Sequence, residues 1–259
     1  MEVVIAPAGA LAERGADLFV ALLERKPDAV LGLATGSSPL GIYDELVRRH
    51  EAGTVSFARA RAFTLDEYVG LPAGHREAYR SVIDREFAGR VDFAPGSVAG
   101  PAGTAADLAA ACAAYEADIA AAGGVDLQIL GIGSNGHIAF NEPGSSLVSR
   151  TRVEVLSAQT RRDNARFFGG DMAAVPHHCL TQGLGTIMEA RQIVLIATGA
   201  GKAAAVRELV EGGVSARWPA TLLQFHPRLT VLIDDAAASA LETADHHRYV
   251  QANRHPAQG

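Results

Sequence analysis

Leu130-Gly131-Ile132-Gly133-Ser134-Asn135-Gly136-His137-Ile138-Ala139-Phe140-Asn141-Glu142-Pro143 closes an apolar run at 125–130. Such a run, bounded by turn residues, reads as a buried strand. Gly131, Gly133 and Gly136 stand at G-x-G-x-x-G spacing, and Glu154 lies about where a ribose-binding acid is expected in a dinucleotide site. That motif needs a helix starting at the third glycine, whose N-terminus holds the pyrophosphate. Here Asn141-Glu142-Pro143-Gly144 breaks the chain within a few residues. The nucleotide reading fails on that break. What remains is a tight turn at the carboxyl end of a strand, bearing an imidazole and then a carboxylate. In open parallel sheets ligands sit at such ends.

Apolar runs at 3–6, 29–34, 57–65, 192–197 and 229–233 predict further strands, and 151–156 a short one with Arg152 and Glu154 turned outward. Helical spacing of apolar residues predicts helices at 11–25, after Pro39, around 79–87, at 104–122, at 159–168 and at 203–210. Ser38 as N-cap and Pro39 at the first helical position mark one helix start. In the alanine-rich helix, Leu108, Cys112, Tyr115 and Ile119 form a core-facing stripe. The tail from His246 is polar, a composition that favours mobility. Alternating strands and helices predict an α/β fold with a parallel sheet covered on both faces. No linker-like stretch or repeat divides the chain, so 1–259 reads as a single domain.

With 259 residues, 48% of them hydrophobic and 20% charged, the chain can bury a substantial core. A net charge of -6 argues against nucleic acid or an anionic membrane as partner. Two cysteines, Cys112 and Cys179, cannot build a disulfide or zinc framework and point to a reducing compartment. No apolar run approaches a membrane span. Met1-Glu2-Val3-Val4-Ile5 lacks a basic leader region, so a cytoplasmic location is expected. His246-His247 has no cysteine or carboxylate cluster beside it, and no metal site is expected.

Thr35-Gly36-Ser37-Ser38 places exposed amides and hydroxyls before a helix, which suits an anion. The plain alternative is a well-capped helix without a ligand, and the loop alone does not separate the two. Lys202 shifts the balance. It begins a helix after a strand, where a cation opposes the helix dipole unless an anion also binds. Gly199-Ala200-Gly201-Lys202 is not a Walker loop, because Ile196 replaces its first glycine and Ala203 follows the lysine. Asp66, just beyond a strand end, reads alone as a loop acid or cap. Beside His137 and Glu142 it completes a coherent acid–base set.

At this point the chain resembles the glucosamine-6-phosphate deaminase (isomerase) family. The resemblance runs from Leu31 to about Asp234. It rests on Leu65-Asp66-Glu67-Tyr68-Val69-Gly70-Leu71, on Gly136-His137-Ile138-Ala139-Phe140-Asn141-Glu142-Pro143, and on Ser149-Arg150-Thr151-Arg152, Ala165-Arg166-Phe167-Phe168 and His226-Pro227. It implies a three-layer α/β/α sandwich with a modified Rossmann-type, mostly parallel sheet and no nucleotide. The implied reaction takes glucosamine 6-phosphate and water to fructose 6-phosphate and ammonia in amino-sugar catabolism, with no metal or organic cofactor. By resemblance Asp66 moves the proton between C2 and C1, His137 serves ring opening, and Glu142 and Asn135 support it. Thr35, Gly36, Ser37, Ser38, Arg166 and Lys202 would bind the sugar phosphate. Residues 160–179 match a mobile segment of the family. Its members range from monomers to hexamers, so a homo-oligomer is among the expected forms.

Two departures stand out. Many members carry aspartate where this chain has Asn135. An amide can orient the imidazole but does not favour its charged form, so a lower His137 pKa is expected than in an Asn135→Asp variant. Allosteric members bind N-acetylglucosamine 6-phosphate at a second site. Ser145 and Arg152 match it, but Glu154 replaces a lysine and Val155 a small hydroxyl residue, so activation is expected to be weak or absent. Two rival functions remain: a 6-phosphogluconolactonase-type hydrolase, and a non-catalytic sugar-phosphate sensor. The first lacks the Leu65–Tyr68 and Phe140–Pro143 combination. The second often loses acid–base residues that this chain keeps.

Overall fold

A computed structural model describes residues 1–72 and 74–255. Among the described residues ten strands form in chain order: β1 Glu2–Ile5, β2 Val30–Leu33, β3 Arg61–Thr64, β4 Asp66–Tyr68, β5 Val98–Ala99, β6 Leu127–Leu130, β7 Arg152–Val155, β8 His178–Thr181, β9 Ile193–Ala197 and β10 Leu229–Ile233. Seven of them pair in parallel in the order β1-β10-β9-β6-β2-β3-β5. Every residue of β2, β6, β9 and β10 is buried, the pattern of a parallel sheet with helices on both faces. The fold is the expected three-layer α/β/α sandwich with a Rossmann-like sheet.

The sheet order creates the place for a site. From β2 the chain moves outward to β3 and β5, whereas from β6 it moves the other way to β9 and β10. Neighbouring strands whose connections diverge leave a crevice at their carboxyl ends. Residues 34–38 leave β2 there and residues 131–137 leave β6, with no helix between β6 and β7. The early break at Asn141 to Gly144 therefore does what its sequence implied.

The eight α-helices among the described residues are α1 Ala8–Arg25, α2 Leu40–Glu51, α3 Tyr79–Glu86, α4 Leu108–Ala121, α5 Ala158–Asn164, α6 Leu184–Met188, α7 Ala203–Glu211 and α8 Ala244–Ala252. α4 starts at Leu108 rather than at 104; Cys112, Tyr115 and Ile119 are buried as their spacing predicted while Leu108, in the first turn, is half-buried, and Asp107 caps the helix through the Ala110 amide. Among the described residues no helix is long and apolar enough to cross a membrane.

Four expectations are corrected. First, α2 begins one residue late: Pro39 is the N-cap, in a right-handed conformation, and no side chain caps the helix. The Pro39 carbonyl accepts from the amides of Ile42 and Tyr43, leaving Ser38 free for the crevice. Second, the segment at 57–65 is strand only from Arg61 to Thr64, and Asp66 opens a new strand, β4. β4, β8 and β7 form a separate antiparallel sheet, with Asp66 opposite Thr181 and Tyr68 opposite Cys179. Third, Arg152 and Glu154 do not point outward; Val153 and Val155 do, at 40% and 59% exposure. Strand alternation holds, but hydrogen-bond partners chose the inner face. Arg152 pairs with Glu154 and reaches Asn141 and Ser145, so the charged face is the satisfied one. Fourth, the polar tail is helical through Ala252, as part of α8, which packs on β1 and accepts the Ile5 amide through Gln251. Residues 256–259 of that tail lie outside the described residues.

Candidate active site

The cleft at the crevice holds about 240 Å³. That is below the roughly 300–1,000 Å³ of sites for drug-sized ligands, and suits a monosaccharide better than a dinucleotide. Thr35, Gly36, Ser37, Ser38, Asp66, His137, Arg166 and Lys202 all line it. Eight of the ten residues expected for catalysis and substrate binding thus meet in one cavity. Asn135 and Glu142 do not line it; they stand behind His137. Ser145, Arg152, Glu154 and Val155 lie outside the cleft, on β7 and the loop before it.

Asp66 is 5% exposed where β4 begins. Burial, and then the charge of neighbouring Glu67, push its carboxyl well above the usual range. Glu67 does not enter the cleft. Its carboxylate accepts the Tyr68, Tyr79 and Arg80 amides at 2.8, 2.9 and 3.0 Å. It thereby caps α3, which has no cap of its own, from the strand that carries Asp66. Tyr79 then faces the cleft, stacked on Phe140 at 5.6 Å and beside Tyr68 at 4.8 Å.

The glycine turn places His137 by close approach. The amide of Gly133 donates to the His137 carbonyl at 2.9 Å, and a Cβ on Gly133 would lie 2.3 Å from the His137 ring. Gly136 has φ +81°, the left-handed region open to glycine. His137 Nδ1 sits 3.9 Å from Glu142 Oε2. Burial lowers the His137 pKa; attraction to Glu142 opposes this, and Lys202 adds to it.

The Asn135 side chain makes no hydrogen bond to the imidazole among the described residues. Its Oδ1 accepts the His137 backbone amide at 3.2 Å, and its Nδ2 donates to Glu142 Oε2 at 2.9 Å. It therefore orients the carboxylate rather than the ring. Glu142 Oε1 accepts from the Ser157 amide at 3.2 Å and from the Thr160 hydroxyl. Burial alone would raise the Glu142 pKa. The Thr160 hydroxyl, the His137 charge, Asn135 and the Ser157 amide together outweigh it and hold Glu142 below the usual range.

Across the cleft, Lys202 closes a 3₁₀ turn after β9 and Arg166 sits in the helical run that follows α5. Neither forms an ion pair among the described residues. Burial first, and then the charge of Arg166, lower the Lys202 pKa. These two cations line the same cleft as the hydroxyls of residues 35–38, a combination of groups that suits an anion. No group of three or more His, Cys, Asp or Glu able to hold a metal occurs among the described residues. His226, part of the resemblance, is a core histidine whose Nε2 meets the Ala190 carbonyl at 2.7 Å.

Sequence reasoning missed Glu67, Tyr79 and Thr160 as parts of the site. Tyr79 read only as a helix-stripe residue. For Thr160 the one local signal is the Ser157-x-x-Thr160 cap, in which the Ser157 hydroxyl accepts the Thr160 amide.

Residues 6–231 match the family model described as glucosamine-6-phosphate isomerases/6-phosphogluconolactonase. The glucosamine-6-phosphate deaminase of Beutenbergia cavernae is 69% identical over 260 residues, covering 100% of both chains. That of Mycolicibacterium smegmatis is 69% identical over 249 residues, covering 96% of this chain and 95% of the other. A solved monomeric glucosamine-6-phosphate deaminase superposes with TM-score 0.90 at 42% identity, over 93% of this chain and 100% of its own. The 6-phosphogluconolactonase of Trypanosoma cruzi shares the fold, with TM-score 0.76 at 20% identity over 93% of this chain and 97% of its own. With this cleft and these relatives, the chain belongs to the glucosamine-6-phosphate deaminase family.

Proposed function

We propose that this chain converts glucosamine 6-phosphate and water to fructose 6-phosphate and ammonia, as a cytoplasmic single-domain enzyme of amino-sugar catabolism. The observation that carries the reading is the placing of one buried carboxyl group, Asp66, in the same cleft as Lys202 and Arg166, two cations with no ion pair among the described residues. The phosphate is held by those cations and by the amides and hydroxyls of Thr35, Gly36, Ser37 and Ser38. Gripping the remote end of the sugar spends binding energy on orienting C1 and C2.

His137 assists ring opening by proton transfer at the ring oxygen, with Glu142 behind it and Asn135 fixing Glu142. Asp66 then takes the C2 proton and returns it to C1. One carboxylate can serve both carbons because they are adjacent and the chain is held. General acid–base help of this kind is worth roughly 10²–10⁴-fold per group. Protonation at C1 leaves an iminium ion at C2; water adds there, and the C–N bond breaks to release ammonia and leave the C2 ketone, so the sequence needs water and proton transfers but no metal or organic cofactor.

Purified protein incubated with glucosamine 6-phosphate is expected to release ammonia and fructose 6-phosphate in equal amounts, and Asp66→Asn to abolish it. Hydrolysis of 6-phosphogluconolactone would favour the lactonase reading, to which the 20%-identical likeness lends fold alone. Binding of glucosamine 6-phosphate without turnover would favour a sensor.

A further inference from the structure

We propose that Thr160 is a positioning residue: its buried hydroxyl fixes the Glu142 carboxylate so that one free lone pair faces His137 Nδ1.

The hydrogens around Glu142 can be counted. Oε1 receives the Ser157 amide and the Thr160 hydroxyl, and Oε2 receives Asn135 Nδ2. With the Ser157 amide, the Thr160 hydroxyl and the Asn135 amide all donating, the network fits an ionised, acceptor-only carboxylate. A carboxylate has about four lone-pair sites. With three filled, the one left over lies on Oε2, the oxygen 3.9 Å from His137 Nδ1. Nδ1 is buried and has no hydrogen-bond partner among the described residues.

Thr160 is itself held from both sides. It is 3% exposed, its amide donates to Ser157 Oγ at 3.1 Å, and its Oγ1 lies 3.0 Å from that same oxygen. With the Thr160 hydrogen committed to Glu142, the Ser157 hydroxyl supplies the hydrogen between the two hydroxyls. The contact thus has a direction, and Thr160 cannot turn away without breaking two bonds. Asn135 fixes the carboxylate from the glycine turn, and Thr160 fixes it from α5. Since α5 runs directly into the Ala165–Phe168 turn, one helical segment carries both Thr160 and Arg166. The remaining charged groups near the pair are Lys202 and Asp163, which act on His137.

The test is Thr160→Val, which keeps the branched shape and removes the hydroxyl, beside Thr160→Ser, which keeps the hydroxyl. The Glu142 carboxyl carbon is titrated by NMR in the ligand-free full chain. Thr160→Val is expected to raise the Glu142 pKa by about one pH unit, as loss of a hydrogen bond to a charged group should. Thr160→Ser is expected to titrate as the wild type.

The activity arm rests on the deaminase reading, while the titration does not, so failure of one is distinguishable from failure of the other. In that arm Thr160→Val lowers kcat about tenfold with KM changed less than about threefold, and Thr160→Ser restores it. A wild-type titration in the valine variant, or no rescue by serine in a folded protein, overturns the proposal. Should the valine variant not fold, Ser157→Ala frees the Thr160 hydroxyl while keeping both amides. A smaller upward shift of the Glu142 pKa supports the proposal, and none overturns it.

Discussion

His137 Nδ1 lies 3.9 Å from Glu142 Oε2, and both groups are held below their ordinary pKa. The two shifts act on stability in the same direction. For His137 the unfolded chain binds its proton first as pH falls through about 6.5, so stability is present above that value and declines below it. For Glu142 stability is present above about 4.5 and is lost as pH falls through its lowered folded value. The upper part of this acid sensitivity belongs to the histidine. His137→Gln is therefore expected to flatten stability between about pH 7 and 5.5, measured by urea unfolding. Identical slopes in variant and wild type would show that His137 titrates normally.

Gly136 tests the turn that carries the histidine. A Cβ there would lie 2.5 Å from a ring carbon of Trp218 and 3.3 Å from its Cα, at φ +81°. Gly144 shares a positive φ, +96°, but has open space around the same position. Gly136→Ala should cost about 2–4 kcal/mol, and Gly144→Ala about 1 kcal/mol for the backbone alone. Only the first should also reduce ammonia release, because only there must the turn shift. Equal melting-temperature losses in the two variants would contradict this.

Much of this was legible in the sequence, for a definite reason. The parallel strands are apolar runs, and the helices keep a helical stripe. The residues that enter the cleft follow strand ends, where the α/β rule places sites. The glycine turn announced itself by Asn141 to Gly144. What was not legible depends on partners distant in sequence. β4 has three residues and exists because β8 pairs with it, Thr181 facing Asp66 from 115 positions onward. The inward face of β7 was chosen by Asn141, Ser145 and the Arg152–Glu154 pair, against its hydrophobicity. Asn135 looked like a partner of the imidazole because it stands where many family members carry an aspartate. Only the fold shows that its amide is aimed at Glu142.

Asp66 combines activity with a stability cost. Its raised pKa means the folded state holds the proton more tightly than the unfolded chain does. Its contribution is therefore favourable below about 3.8 and is lost as pH rises through the folded value. At neutral pH an ionised Asp66 opposes folding. Asp66→Asn should abolish turnover yet stabilise the protein by about 1 kcal/mol or more, roughly 2–4 °C in melting temperature. Calorimetry at pH 7.5 checks the sign, and a less stable variant would contradict it.

The arrangement on β7 bears on regulation. Arg152 is engaged by Glu154, by Asn141 Oδ1 at 2.9 Å and by Ser145 Oγ at 3.0 Å. An arriving phosphate would have to displace an internal carboxylate and meet its charge. N-acetylglucosamine 6-phosphate is accordingly expected to leave the rate of ammonia release unchanged up to about 1 mM. A saturable activation curve below that concentration would show that Arg152 can be recruited.

Asn135→Asp puts a carboxylate where an amide now donates. The acceptor side is unaffected, since an aspartate oxygen can still take the His137 backbone amide. The other oxygen would face Glu142 Oε2 across the 2.9 Å now spanned by a hydrogen bond. Two carboxylates that close retain one proton between them, and they titrate as a pair. While that proton stays, the charge near His137 is unchanged. Once it leaves, the added negative charge should raise the His137 pKa above its wild-type value. The variant is thus expected to match the wild-type pH–rate profile at acid pH and to gain an extra ionisation, displaced upward from the Glu142 range. Imidazole titration by NMR beside kcat/KM from about pH 5 to 9 reads both effects. Unmoved curves in both would mean that Asn135 and Glu142 do not communicate.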